Sequence, residues 1–311
     1  MNYISYFKKI RLWAPVFVCA GLLLMAPYAR AQQTTVTSQL THIKDQVQQL
    51  FELQDSTTIP EQQKELQEFR LRQQILTDII AAAKQQVADA RARLQDAVLP
   101  QDNNETWKQI RDAILGGFDR ANEYYGYAYD RVNHDSSVTT ALLKNVARDI
   151  EQEKTTTIDP LIKQAHTIVA ALAVQNMLQI GDDRLEKIRL DVGKIYEQKL
   201  TKSKALQNLF DTASSTLEQA HQADQSAQEI ILHGYDPQPN ASDTQYIDDL
   251  YAANTASSTA STTAPQSISN ESKFSLVEKL LQKNITDAIA GIKSVYDTFL
   301  EMSSNVKNYL K

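Results

Sequence analysis

Cysteine is nearly missing from this chain: its 311 residues contain one, Cys19. Glycine and proline are scarce as well, with 8 of each, less than half of what average usage of about 12% for the pair would give. Too few turn formers remain for a sandwich, a barrel or a doubly wound sheet of many short elements. The expected class is therefore all-α, an elongated antiparallel helical bundle with coiled-coil segments. One cysteine also excludes a disulfide framework and a Cys-based metal site. Basic residues are in deficit, with Lys+Arg 32 against Asp+Glu 38 and a net charge of -6. That balance speaks against nucleic acid or anionic lipid as the main partner. What the chain does hold is 42% hydrophobic residues, enough to bury a core.

Residues 1–31 read as a signal peptide. Lys8, Lys9 and Arg11 form a basic start, Leu12 to Met25 is apolar, and Ala29-Arg30-Ala31 has the small-x-small pattern of a cleavage site ahead of Gln32. The apolar run is short and holds Pro15, so an uncleaved membrane anchor is the alternative rather than the main expectation. Val18 and Phe17 precede Cys19 where a lipoprotein would need a small residue. Cleavage would remove four basic residues and the cysteine, leaving a more acidic chain held by its core alone. The expected location is extracytoplasmic, secreted or periplasmic, with N-terminal anchoring as the alternative.

Residues 32–233 read as a bundle of long helices. A short amphipathic segment covers Ser38 to Leu53. Pro60 then opens a helix to about Val98, because proline at a first helical position loses no needed hydrogen bond. Its seam is Leu66, Phe69, Gln73, Leu76, Ile80, Ala83, Val87, Ala90 and Leu94, alternating three and four apart with one polar member. A turn at Leu99 to Asn104, with Asn103 or Asn104 as cap, leads into a helix from about Glu105 to Val132. The next runs from about Ser137 to Glu153, is interrupted at Thr155-Thr156-Thr157, and restarts at Asp159-Pro160 to reach Ile180. Gly181-Asp182-Asp183 reads as a stop and a new cap. One helix of about 75 Å is expected from Asp183 to Leu232, with Leu185, Ile188, Val192, Ile195, Leu206, Leu209, Ala213, Ala220, Ala223, Ala227 and Ile230 in one heptad frame and Lys199, Lys202 and Thr216 at its remaining positions.

Residues 234–272 break this pattern. From Ala252 to Ser272 about half the residues are Ser or Thr and none is aromatic, the composition of a flexible tether. Ahead of it, Tyr246-Ile247-Asp248-Asp249-Leu250-Tyr251 forms an apolar island that either docks on its own bundle or binds a partner. Residues 273–311 carry a four-three seam of Leu281, Ile285, Ala288, Ile292, Val295, Phe299, Met302, Val306 and Tyr309. Such a seam demands a helical partner along its length, on the same chain or on another.

Three stretches, Gln67-Glu68-Phe69-Arg70-Leu71-Arg72, Asp183-Arg184-Leu185-Glu186-Lys187-Ile188 and Tyr296 to Val306, resemble parts of secreted all-helical proteins of candidate-phyla bacteria with reduced genomes. With the signal and the order of helices, the resemblance would cover most of the chain. It implies export and an all-helical fold. That group has no assigned reaction, so no functional residue carries over.

Catalytic patterns are missing. His42, His134, His166, His221 and His233 lie on different segments, and there is no His-Glu-x-x-His, Gly-x-Ser-x-Gly or Gly-x-Gly-x-x-Gly. Glu218, His221 and Asp224 share a helix face, but a di-iron bundle needs Glu-x-x-His twice and two further glutamates; no metal and no cofactor are expected. Tyr124, Tyr125, Tyr127 and Tyr129 cluster around Gly126. Tyr125 and Tyr129 are expected in the core, with close helix contact at the glycines, while Tyr124 and Tyr127 at its edge are candidates for sugar or peptide binding. Tyr246 and Tyr251 are the other candidate partner-binding residues. Ala165 to Leu178 is apolar around most of its circumference but too short to span a membrane, so it reads as a central bundle helix or, as a lesser reading, a masked membrane-inserting segment. The functional expectation is an exported, non-enzymatic structural or interaction protein of the cell envelope, working through helix association with a protein partner or with itself. A secretion or conjugation pilus accessory or adhesin-like protein and a helical pore-forming toxin are the alternatives. Membrane contact would come only through an uncleaved signal.

Overall fold

The structure is a computed structural model that describes residues 41–55, 59–101, 104–134, 138–197, 203–235, 245–250, 252 and 270–309. Residues 1–31, read above as a signal peptide, Tyr251 and most of the Ser/Thr-rich stretch lie outside these. All regular structure among the described residues is helical, so the fold is all-α. In chain order the helices are α1 (41–55), α2 (Glu61–Asp96), α3 (Asn104–Asn133), α4 (Thr140–Glu153), a π-helical turn (Lys154–Ile158), α5 (Asp159–Glu197), α6 (Ser203–Gly234), α7 (245–250) and α8 (Asn270–Tyr309). They gather into two compact units, one of residues up to Asp89 with Arg120–Ile158, the other of Ala90–Asp119 with residues from Asp159 onward.

In the first unit the helix starts follow from local chemistry. The Pro60 carbonyl accepts the first bond of α2, from the Lys64 N–H at 3.0 Å. Thr139 caps α4, its hydroxyl accepting from the Leu142 N–H at 3.2 Å. The expected α2 seam is buried here from Leu76 through Val87, and its Ala90 and Leu94, buried too, belong to the second unit, whereas Leu66 at its start is 50% exposed. Its polar member has a specific task. The last carbonyls of a helix lack intrahelical donors, and the Gln73 amide donates to one of them, Val132 O of α3, at 2.7 Å. Close by, the Thr77 hydroxyl lies 3.2 Å from Asn133 Oδ1. On the other side of α2, the buried Gln46 of α1 donates to Asp78 Oδ2 at 2.7 Å.

The expected break at Thr155 to Asp159 is instead the π-helical turn, with α5 following directly. Pro160 gives the reason. It has no N–H for the carbonyl four residues back, and its ring presses on that carbonyl; a wider turn takes up both without ending the helix. Thr155 and Thr156 help close the turn, their hydroxyls donating to Glu151 O and Gln152 O at 2.8 Å each.

The second unit corrects the reading of residues 181–232. Gly181 does not stop a helix: α5 continues to Glu197, and α6 begins anew at Ser203. A Cβ on the buried Gly181 would lie 3.1 Å from the Leu217 side chain of α6, so the residue is small to admit a neighbour rather than to end the helix. His221 of α6 meets Asp182 of α5 at 3.0 Å. These contacts fall at similar distances from the 198–202 link on each arm, so α5 and α6 form an antiparallel hairpin where one helix was expected. Lys199 and Lys202 lie outside the described residues.

α8 supplies the third helix of this packing. Gly234 of α6 neighbours Val277, and Ala220 neighbours Gly291, a register that runs antiparallel. Lys163 pairs with Glu278, and the Arg184 guanidinium lies 4.9 Å from the Tyr296 ring centre, so α5 and α8 run parallel. The seam from Leu281 to Met302 is buried; its helical partners are on the same chain. The α6 stripe that meets it differs from the expected frame: Leu217, Asp224 and Ile231 are buried with Leu206, Ala213, Ala220, Ala227 and Ile230, because α6 packs between two helices. Ala165 to Leu178 is a central segment of α5, with Ala165, Thr167, Ile168, Ala171, Leu172, Val174 and Leu178 buried. Among the described residues no helix is long and apolar enough to cross a membrane.

Asp224 is the costly member of that stripe. It is 4% exposed, its Oδ2 accepts from the Gln228 amide, and its Oδ1 has no hydrogen-bond partner. Burial raises its pKa against the opposing effects of the Gln228 bond and the His221 charge. The folded state therefore holds the proton more tightly than the unfolded chain. The resulting stability is fully present below the unfolded carboxylate pKa of about 3.9 and is lost as pH rises through the folded value. Asp224→Asn should unfold later than wild type at pH 7, by about 1 kcal/mol, with the difference shrinking on acidification; urea unfolding at several pH values measures it. At the helix crossing, a Cβ on Gly291 would stand 2.8 Å from Ala220 Cβ. Gly291→Ala should cost about 1–3 kcal/mol through overpacking. Gly193→Ala on α5, where nothing lies within 4 Å, should gain about 0.5–1 kcal/mol.

Candidate functional site

The first unit carries an open cleft of about 280 Å³ between α3 and α4. From α3 it is lined by Tyr124, Tyr127, Ala128 and Arg131, the three-, four- and seven-residue spacings that share one helix face. From α4 come Val146, Asp149, Gln152 and Glu153, again one face. The π-helical turn begins at the next residue, Lys154.

The tyrosine cluster divides as helix geometry requires, and not wholly as expected. Tyr125 is 1% exposed and belongs to the core; Tyr127 is 65% exposed, and Tyr124 is half-buried with its ring edge-on to Tyr125, centres 5.7 Å apart. Tyr129 departs from the core assignment at 38% exposed, with its ring edge-on to His134 at 5.9 Å. The inward positions after Tyr125 are taken by Ala128 and Val132, three and seven residues on, which leaves Tyr129 at the edge of that face. Nothing lies within 4 Å of a Cβ built on Gly126, whereas one on Gly117 would meet the Leu161 side chain at 2.8 Å. Close packing at the glycines therefore holds at Gly117 and not at Gly126.

The electrostatics of the cleft are mixed. The Arg131 guanidinium lies 5.7 Å from the Tyr127 ring centre and 3.8 Å from Asp149 Oδ2, attracted by both. Partial burial raises the Tyr124 pKa, the Asp149 and Glu153 charges raise it further, and Arg131 opposes them. The phenol remains a hydrogen-bond donor. No Ser, Cys or His lines the cleft; it offers stacking faces, donors and carboxylates. The charged and amide partners of the tyrosines were not singled out from the sequence. The signal was there in the helical spacings of Tyr124, Ala128 and Arg131 and of Asp149 and Glu153, but nothing local says that these two faces meet.

The remaining candidates fall elsewhere. Tyr246 on α7 packs over His233 of α6, ring centres 4.5 Å apart, and Ile247 lies beside Gly234. Burial, and secondarily Glu229, raises the Tyr246 pKa; Tyr251 lies outside the described residues. Glu218, His221 and Asp224 do not converge: Glu218 accepts from Gln222, His221 meets Asp182, and Asp224 turns into the seam. Among the described residues no three His, Cys, Asp or Glu side chains are placed to hold a metal ion. His166 is exposed on α5 between the buried Ala165 and Thr167, and partial desolvation, then Arg93, lowers its pKa.

Comparison with protein-family models, curated proteins and solved structures finds no match to the chain. Because Tyr127 is exposed and Tyr125 is not, the two should differ sharply on truncation. Tyr125→Ala should cost about 3–5 kcal/mol, as for other large core aromatics, and Tyr127→Ala about 0.5 kcal/mol or less. Equilibrium denaturation of both variants checks this; a large cost at Tyr127 would mark it as structural.

Proposed function

We propose that this protein is an exported, non-catalytic interaction protein of the cell envelope whose long helices carry a docking surface at the α3–α4 cleft. The observation that carries the reading is the exposed Tyr127, set beside Arg131 and Asp149 on a face that the core does not need. Tyrosine and arginine contribute much of the energy at protein interfaces because they supply large, stiff area and directional polar groups together. The buried seam of α8 supports the same reading from the other side: its apolar residues are spent on α5 and α6, so partner binding through that seam would first have to undo the fold. Export rests on the sequence of residues 1–31.

Two measurements test the reading. Expression of the full chain in a Gram-negative host, followed by fractionation and N-terminal mass spectrometry, should yield an extracytoplasmic form beginning at Gln32. Recovery of the uncut chain in the cytoplasm would overturn export. A photocrosslinking amino acid at position 127, introduced in the cells that make the protein, should give a discrete adduct that the same amino acid at the exposed Ile289 of α8 does not. Identical adduct patterns would remove the cleft as the docking surface.

A further inference from the structure

We infer that the α3–α4 cleft receives a basic side chain, Lys or Arg, from an extended segment of a protein partner. The inference rests on the reading of the cleft as a docking surface and assigns the chemistry of what docks there. The cleft, about 280 Å³, is open to solvent and so suits one side chain protruding from a partner rather than a small molecule, whose pockets bury most of the ligand. Its composition selects the sign. Two carboxylates, Asp149 and Glu153, stand four residues apart on α4 against one guanidinium, Arg131, and the chain as a whole is acidic. The site is thus short of one positive charge.

Arg131 shows how that charge would be held. A guanidinium already rests between a tyrosine face and a carboxylate, 5.7 Å from the Tyr127 centre and 3.8 Å from Asp149. Tyr124, Gln152 and Glu153 line the same cleft and add a second tyrosine ring, an amide and a second carboxylate, while Arg131 is the one arginine among the lining residues. The Tyr124 phenol senses the consequence: Asp149 and Glu153 act on it more strongly than Arg131 does, so the potential there is negative. A cation over an aromatic face beside a carboxylate gains from both. A neutral sugar would use the rings but leave the excess charge unanswered.

The test uses fluorescence anisotropy with the full chain and a labelled, flexible Gly/Ser peptide carrying arginines, against the same peptide with citrulline in their place. Citrulline keeps the shape and loses the charge. The arginine peptide should bind at least about tenfold more tightly, Tyr127→Ala and Glu153→Gln should each weaken it about fivefold or more, and added salt should weaken it further. Asp211→Asn, which removes the same charge from an exposed site on α6, should change it less than about twofold. Equal binding of both peptides, or equal effects of Glu153→Gln and Asp211→Asn, would overturn the inference. If the citrulline peptide or maltose binds and Tyr127→Ala abolishes that binding, the cleft is a docking site for a neutral ligand and only its assigned chemistry fails. If neither Tyr127→Ala nor Glu153→Gln alters any binding, the docking surface itself fails.

Discussion

Between α6 and α8 the two backbones come together at Ala220 and Gly291, where one added methyl group would stand 2.8 Å from the Ala220 side chain and 3.5 Å from the Thr216 carbonyl. Ala213, Ala220 and Ala227 recur every seven residues along α6 and are all buried. This stripe of small residues lets α8 lie close enough for Leu281, Ile285, Ile292, Val295 and Met302 to leave water together. Hydrophobic stabilisation scales with the area removed from water, and dispersion contacts fall off steeply with separation. The gain from the large residues of α8 therefore depends on the smallness of those it faces. The packing of α5, α6 and α8 follows from this one approach.

Polar residues in the two seams show how differently such positions can be used. Gln73 of α2 reaches a carbonyl at the end of α3 that no helical N–H can serve, so its place in an apolar stripe serves the packing. Asp224 of α6 has one oxygen satisfied by Gln228 and the other without a partner. It costs stability wherever it is ionised, in a stripe otherwise made of Ala, Leu and Ile. The neighbouring His221 is turned away from it to Asp182. A polar seam residue can restrict the register in which helices pair, and Asp224 stands four residues from the Ala220–Gly291 contact that sets the α6–α8 register.

In the first unit, the same helical periodicity sorts side chains by role. Tyr125 faces inward and Tyr127, two positions on, faces out, because successive residues on a helix are about 100° apart. Arg131 follows Tyr127 by one turn and covers part of its ring. The cleft thus arises from two ordinary helix faces, each with its own i, i+3 and i+4 neighbours. The π-helical turn beyond Glu153, required by Pro160, closes the run of α4 residues that line it.

Helix class, the α2 seam from Leu76 to Leu94, the α8 seam and the inward position of Tyr125 were all legible in the sequence, since each is a matter of spacing along one helix. Local punctuation was less reliable. Gly181 read as a stop but is small for the sake of Leu217, and the Thr155 to Pro160 stretch read as a break but is a widened turn within a continuing helix. Glycine and proline report a constraint on the backbone without saying whether a neighbour or a chain reversal imposes it. The pairing of distant faces was decided only by tertiary packing. It chose α5 and α6 as partners for α8, placed Asp224 rather than Ala223 in the seam, and brought Asp149 and Glu153 to the tyrosines. Periodicity along a helix determines which side chains share a face, and that much the chain carries in itself. Which face meets which depends on how closely two backbones can approach, a property of both helices together and of neither sequence alone.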